Sequence, residues 1–236
     1  MRIYQLEITN KCNFNCSYCP RQVMKRKIGF VGYRVLEEVA NKIENNILRL
    51  HHYGESLLDN DLENKIMFLK TKKPNLVLIL NTNGSLLTEL RTKKLFNAGL
   101  NKIILSYHNE KSIKYIKDIN YIYRERIEII KVSNSSFDLS NIKKLGYETT
   151  NKRLRDLGQL KKEIILKGYA VHRCTFLKDN EVVVLWNGLI VPCCECFDDN
   201  YVIGNILIDN VVKNKEFEMC KTCWGYGNDL YETERE

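Results

Sequence analysis

The sequence predicts an α/β protein whose first two thirds wind a parallel sheet and whose last third adds a small unit of β-hairpin plus helix. Three observations carry this. Short apolar runs alternate with helix-period stretches from residue 2 to about 132, the pattern of right-handed βαβ units. Asn187-Gly188 separates two apolar runs, a strong short-range hairpin signal. The nine cysteines fall into two groups, with none between Cys19 and Cys174, so the chain's sulfur chemistry has two places.

Element by element, Ile3–Ile8 reads as a strand. Val35, Leu36, Val39, Ala40 and Ile43 recur at helical spacing. Ile47–His52 is a second strand, and Leu62, Ile66 and Leu69 mark a second helix. Leu76–Leu80 is a buried strand, and Leu86–Ala98 is a helix closed by Gly99, where a left-handed cap is wanted. Lys102–Tyr107 and Arg126–Val132 complete the strands. Residues 133–170 are charged and read as a connection with one or two helices. Glu181–Trp186 and Leu189–Val191 flank Asn187-Gly188, with both turn residues expected at positive φ. Asn210–Met219 is expected as a short helix leading into Cys220-Lys221-Thr222-Cys223.

Each strand turns polar at its carboxyl end. Ile8 runs into Thr9-Asn10, Leu50 into His51-His52-Tyr53-Gly54-Glu55, Leu80 into Asn81-Thr82-Asn83-Gly84, and Leu105 into Ser106-Tyr107-His108. Any strand leaving a core becomes polar, but in parallel α/β folds this edge also gathers ligands and catalytic groups.

Composition narrows the class further. The chain has 236 residues, of which 44% are hydrophobic, enough for a core without disulfide staples. The longest apolar runs are too short to span a bilayer, and the start, Met1 to Glu7, lacks an apolar signal segment. A cytoplasmic location is expected, where clustered cysteines mean metal or catalysis rather than disulfides. A net charge of +8 is spread among acidic residues and reads as ordinary solvated faces, so neither a membrane nor nucleic acid is an expected partner.

Cys12, Cys16 and Cys19 form C-x3-C-x2-C on the loop leaving the first strand. A closed zinc site takes four ligands, whereas three thiolates fill all but one corner of a four-iron cube. The motif, with Tyr18 before its last cysteine, resembles the signature of the radical S-adenosylmethionine (radical SAM) superfamily. Tyr53-Gly54-Glu55-Ser56 is similar to the superfamily's Gly-Gly-Glu-Pro motif, with Tyr53 in place of the first glycine and Ser56 in place of the proline. Thr82-Asn83-Gly84 matches a further pattern at the third strand end.

The resemblance implies a partial parallel (β/α) TIM-like barrel over residues 1–165. It also implies a 4Fe-4S cluster on the three cysteines and SAM held by Tyr18, Gly54, Glu55, Asn81, Asn83 and Ser106, with Glu55 on the amino group. An electron from the reduced cluster, supplied by a donor such as flavodoxin or ferredoxin, would cleave SAM to methionine and a 5′-deoxyadenosyl radical. That radical would take a hydrogen atom from substrate. The cofactor carries the hard chemistry, and the protein binds, orients and excludes water.

Cys174, thirteen residues, Gly188, four residues and Cys193 resemble the opening of the SPASM and twitch extensions of radical SAM enzymes. The six cysteines left after the triplet are too few for a full SPASM extension. The shorter twitch form is met by Cys174, Cys193, Cys220 and Cys223 within residues 166–236, implying a second, auxiliary 4Fe-4S cluster; tetrahedral zinc is the alternative for the same four. The layout is similar to compact twitch-type aminocyclitol dehydrogenases. One departure is that Ile142 falls where those enzymes carry an arginine near the substrate hydroxyl.

Cys194 and Cys196 are left over, either as spare thiols or as a hydrogen donor in an epimerisation. Glu195 is a candidate base, and His108 and His52 stand at strand ends as candidate contacts or buried, hydrogen-bonded histidines. The reading is a radical SAM enzyme performing a two-electron dehydrogenation of a small polar molecule. The alternatives are an epimerase using Cys194 or Cys196, and a non-catalytic zinc or iron–sulfur protein. A strand starting at residue 2 leaves no leader-peptide module ahead of it, which favours a sugar-like or aminocyclitol substrate over a peptide.

Overall fold

The computed structural model describes residues 1–17, 19–131, 140–151, 174–208, 210–211 and 220. Six strands run parallel in sequential order: β1 Arg2–Leu6, β2 Ile47–Arg49, β3 Val77–Thr82, β4 Lys102–Tyr107, β5 Ile127–Lys131 and β6 Glu148–Asn151. β7 Glu181–Val184 adds parallel to β1, and β8 Leu189–Val191, β9 Gly204–Asn205 and β10 Asn210–Val211 continue antiparallel. The order β10-β9-β8-β7-β1-β2-β3-β4-β5-β6 is an open sheet, a partial barrel whose hairpin extension shares its ladder.

The helices α1 Tyr33–Lys42, α2 Leu62–Lys72 and α3 Glu89–Asn97 cover one face. Leu36, Val39, Ile66, Leu69 and Leu95 pack there against Leu48, Leu78, Leu80, Ile103 and Leu105 in one buried cluster. α3 starts later than its apolar pattern because Thr88 caps it, accepting the Arg91 N–H at 3.2 Å. It ends as expected: Gly99 has φ +105, Gly99 N–H donates to Phe96 O at 3.1 Å and Leu100 N–H to Leu95 O at 3.1 Å, a Schellman cap.

Three sequence expectations need correction. The connection after β5 holds α4 Ser140–Lys144 but also β6. Glu148-Thr149-Thr150-Asn151 carries no large apolar residue, so period gives no signal, and the β5 edge supplies the ladder. The hairpin loop is Trp186-Asn187-Gly188, with Gly188 N–H donating to Leu185 O at 2.9 Å and Leu185 N–H to Leu189 O at 2.8 Å. Of these loop residues only Gly188 has positive φ, +87, so this is a three-residue loop with a glycine bulge rather than a two-residue turn. Asn210–Val211 pair with β9 as a strand and not as the start of a helix, and residues 212–219 lie outside the described residues, as does the expected domain junction near 165. A further short helix, α5 Thr175–Lys178, precedes β7.

A bulge in β1 shapes the open face. Ile3 pairs with Val182 but Gln5 with Val183, so Tyr4 is the extra residue. Ile3 and Leu6 both enter the helix-covered core. Gln5 stays with Val183, whose apolar cluster belongs to the opposite face. Tyr4 is on that face too, its ring edge-on to Phe176 at 4.9 Å and under the Arg49 guanidinium at 4.3 Å.

Candidate active site

The loop after β1 is fastened before its cysteines begin. Asn10 Nδ2 donates to Lys27 O at 2.8 Å, its Oδ1 accepts Gly29 N–H at 3.0 Å, and Thr9 Oγ1 donates to Gly29 O at 2.7 Å. Within the triplet, Cys19 N–H donates to Cys16 O at 3.0 Å and Phe14 N–H to Cys12 Sγ at 3.5 Å. Arg21 and Gln22 reach back to the Phe14 and Cys16 carbonyls. The three thiols are partly exposed, and burial is the main force raising Cys12 above the ordinary thiol range.

The β2 loop is stitched to this one. Glu55 N–H donates to Lys11 O at 2.8 Å, and a Cβ on Gly54 would stand 2.0 Å from Thr9 O and 2.9 Å from Lys11 O. Only a glycine admits that approach. Glu55 is 1% exposed. Its Oε1 accepts from Thr82 Oγ1 at 2.8 Å and Leu57 N–H at 3.0 Å, and its Oε2 from Asn83 N–H at 2.6 Å. Burial pushes its carboxyl up, and these donors oppose that rise. Asn83 closes the triangle, its Nδ2 lying 2.9 Å from Asn13 Oδ1 and 3.9 Å from Cys12 Sγ.

Cys12, Gly54, Glu55 and Asn83 are thus one constellation. His108 adjoins it through an edge contact with Phe14, centroids 6.0 Å apart. Asn81 and Ser106 lie on the barrel's inner face, where Asn81 Oδ1 is buried without a hydrogen-bond partner among the described residues. Tyr18 lies outside the described residues.

Burial drops the His108 pKa from 6.5 to about 4, so its ring is neutral at neutral pH. Between those values the unfolded chain binds more protons, so this histidine's contribution makes stability fall as pH drops through the window. An NMR titration of His108 should give a midpoint near 4 in the folded chain. A midpoint near 6.5 would contradict the buried placement.

The second thiol group lies across the open face. Cys193 Sγ and Cys196 Sγ are 3.7 Å apart, and the hydrogen bond with Cys196, then burial, push the Cys193 thiol up. Cys196 is 2% exposed among Val183, Leu185 and Val191. Cys194 is partly exposed, lies near Tyr4 and Tyr53, and its Sγ is 3.9 Å from Glu195 Oε1. Cys174 precedes α5, whose Phe176 packs on Tyr4. Cys220 is partly exposed, and Cys223 lies outside the described residues. Among the described residues, no three His, Cys, Asp or Glu side chains gather closely enough to share one metal ion.

Tyr53 links the two groups. Burial raises its phenol well above the ordinary tyrosine range, and the neighbouring Glu195 carboxylate adds to the rise. The Cys193–Asp198 segment is also bound to the first site. His52 Nε2–H donates to Cys196 O at 3.0 Å, and Arg26 Nε–H donates to Phe197 O at 2.9 Å. Arg26 is in turn bidentate to Glu7, both contacts at 2.7 Å. Sequence reasoning missed Arg26 and Glu7. The signal available was an acid in an apolar strand, which needs a buried partner.

A partial α/β barrel with a three-cysteine loop beside a buried glutamate at its carboxyl edge defines a class that cleaves SAM reductively on an iron–sulfur cluster. The radical SAM superfamily's profile matches residues 6–157, and the chain belongs to that superfamily. It is 27% identical over 208 residues, 86% of this chain and 77% of the relative, to the S-adenosyl-L-methionine-dependent 2-deoxy-scyllo-inosamine dehydrogenase of Niallia circulans. Its fold is similar to that of BtrN in complex with AdoMet and 2-DOIA, at TM-score 0.62 and 23% identity over 89% of this chain and 80% of that one. It is also similar to histidine-tagged anSMEcpe with bound AdoMet, at TM-score 0.60 and 18% identity over 95% of this chain and 84% of that one. Three half-buried thiols on one loop, with Asn83 over Cys12 and Glu55 adjoining, fit a three-cysteine 4Fe-4S cluster and the amino-acid end of SAM. No helix among the described residues is long and apolar enough to cross a membrane.

Proposed function

We propose that this enzyme dehydrogenates a small polar molecule, removing two electrons from a carbon that bears a hydroxyl or amine. The observation that carries the reading is the similarity to the inosamine dehydrogenase over 86% of the chain. The second thiol group beside the barrel's open face supports it. Cys12, Cys16 and Cys19 would hold the first cluster, and Cys174, Cys193, Cys220 and Cys223 an auxiliary one. When bound, SAM and the first cluster would supply radical hydrogen abstraction, and an auxiliary cluster would supply a one-electron acceptor.

The chain's own groups do the rest. Glu55, buried and held by three donors, orients the SAM amino group, with Gly54 allowing the loops to meet. His108, neutral, keeps charge out of the site. Glu195, beside Cys194 and near Tyr53, accepts the proton. Electrons enter through an external one-electron donor such as flavodoxin or ferredoxin.

Epimerisation is the second reading, favoured by the partly exposed Cys194 as hydrogen donor; Cys196 is enclosed by the hairpin's apolar cluster. Turnover in heavy water separates the two. With 2-deoxy-scyllo-inosamine and related polyols and amino-polyols as candidates, dehydrogenation predicts a product two hydrogens lighter with no solvent deuterium on carbon. A product of unchanged composition carrying one deuterium would replace it with epimerisation.

A further inference from the structure

We propose that Arg49, with Gln5, forms an anion-recognising subsite inside the barrel, so that the substrate carries a carboxylate or phosphate next to a hydroxyl. This rests on the small-molecule reading above and narrows it.

Among the described residues, two other sets of charges near the inner face are matched. Glu7 is paired with Arg26, and Lys102 reaches Glu128 at 2.9 Å and Glu148 at 3.2 Å. Arg49 pairs in register with Gln5 on the inner side of β2. Its guanidinium lies over the Tyr4 ring at 4.3 Å, with no carboxylate partner among the described residues. A stacked guanidinium keeps its planar fork of donors free for a bidentate anion.

The second observation is independent of charge. Gln5 is 5% exposed, its Nε2 is 2.7 Å from His51 Nε2, and its Oε1 is buried without a partner among the described residues. An orphaned buried acceptor is destabilising unless a ligand supplies a donor. The Gln5 acceptor, in register with a guanidinium that has no carboxylate partner among the described residues, fits a hydroxylated anion. The same guanidinium would oppose the amine of an inosamine, so this chain and its dehydrogenase relative are expected to part at the substrate.

The test is equilibrium binding to the anaerobically reconstituted, SAM-loaded protein, by calorimetry. Glucuronate and glucose 6-phosphate serve as anionic probes, with glucose and glucosamine as neutral and cationic ones. The anions should bind about tenfold or more tighter than glucose, and glucosamine weakest. Arg49→Gln should erase the preference while SAM binding and iron content stay native, and Arg49→Lys should keep part of it. An anion preference in the native chain alone supports the subsite if Arg49→Gln fails to fold. Failure of both anions to bind, equal binding of all four sugars, or a preference that survives Arg49→Gln would overturn it. Substrate-free SAM cleavage, measured alongside, reports separately on the radical SAM reading.

Discussion

Replacing Arg26 by methionine is expected to lower the free energy of unfolding by about 3–5 kcal/mol, because it leaves Glu7 charged, buried and unpaired. Both side chains are shut off from solvent, at 3% and 0% exposure, so water offers no replacement. The loss is also positional. The guanidinium joins the end of β1 to Phe197 O, while Glu7 Oε2 accepts the Trp186 N–H at 3.3 Å. One ion pair thus fastens the segment after the cysteine triplet, the hairpin loop and the Cys193–Asp198 segment. Urea unfolding of the reduced chain should show the midpoint fall in Arg26→Met, and recover in large part when Glu7→Gln removes the orphaned charge. Equal midpoints in the native chain and the single variant would contradict this account.

Gly54→Ala should have the other large effect, on chemistry more than on stability. Its Cβ would stand 2.0 Å from Thr9 O, and backbone on both sides leaves no flexible side chain to give way. The loops bearing Cys12 and Glu55 must then move apart, breaking the Glu55 N–H to Lys11 O bond. A displacement of about 1 Å at a reacting site costs about a hundredfold in rate, so SAM cleavage should fall by at least that factor. Cleavage within about twofold of native would remove the close approach from the account.

The parallel sheet was legible because its strands are apolar runs separated by helix-period stretches, and β4 falls at Lys102–Tyr107 as expected. Cys12, Gly54, Glu55 and Asn83 were legible as motif residues, and the folded chain brings these four together. The rest depended on what period cannot carry. β6 is polar and takes its conformation from the β5 edge. The β1 bulge, which puts Tyr4 and Gln5 on one face, shows only in the register with β7. Asn187 and Gly188 gave the hairpin its place, but the extra residue Trp186 changed the turn. Arg26 and Glu7 lie 19 positions apart and each reads alone as an ordinary charge. Their pairing is tertiary, as is the buried, unpartnered end of Gln5.

Iron and acid-labile sulfide per chain, with SAM cleavage assayed on the same anaerobically reconstituted samples, test the central claim most directly. The native chain is compared with one carrying Cys12→Ala, Cys16→Ala and Cys19→Ala. Two clusters predict about eight irons falling to about four, with cleavage abolished in the variant. Iron lost completely from the variant would leave the auxiliary site without a cluster and the dehydrogenation without its electron acceptor. A native chain that binds no iron and cleaves no SAM, or a variant that still cleaves it, would contradict the assignment of Cys12, Cys16 and Cys19 as the seat of the chemistry.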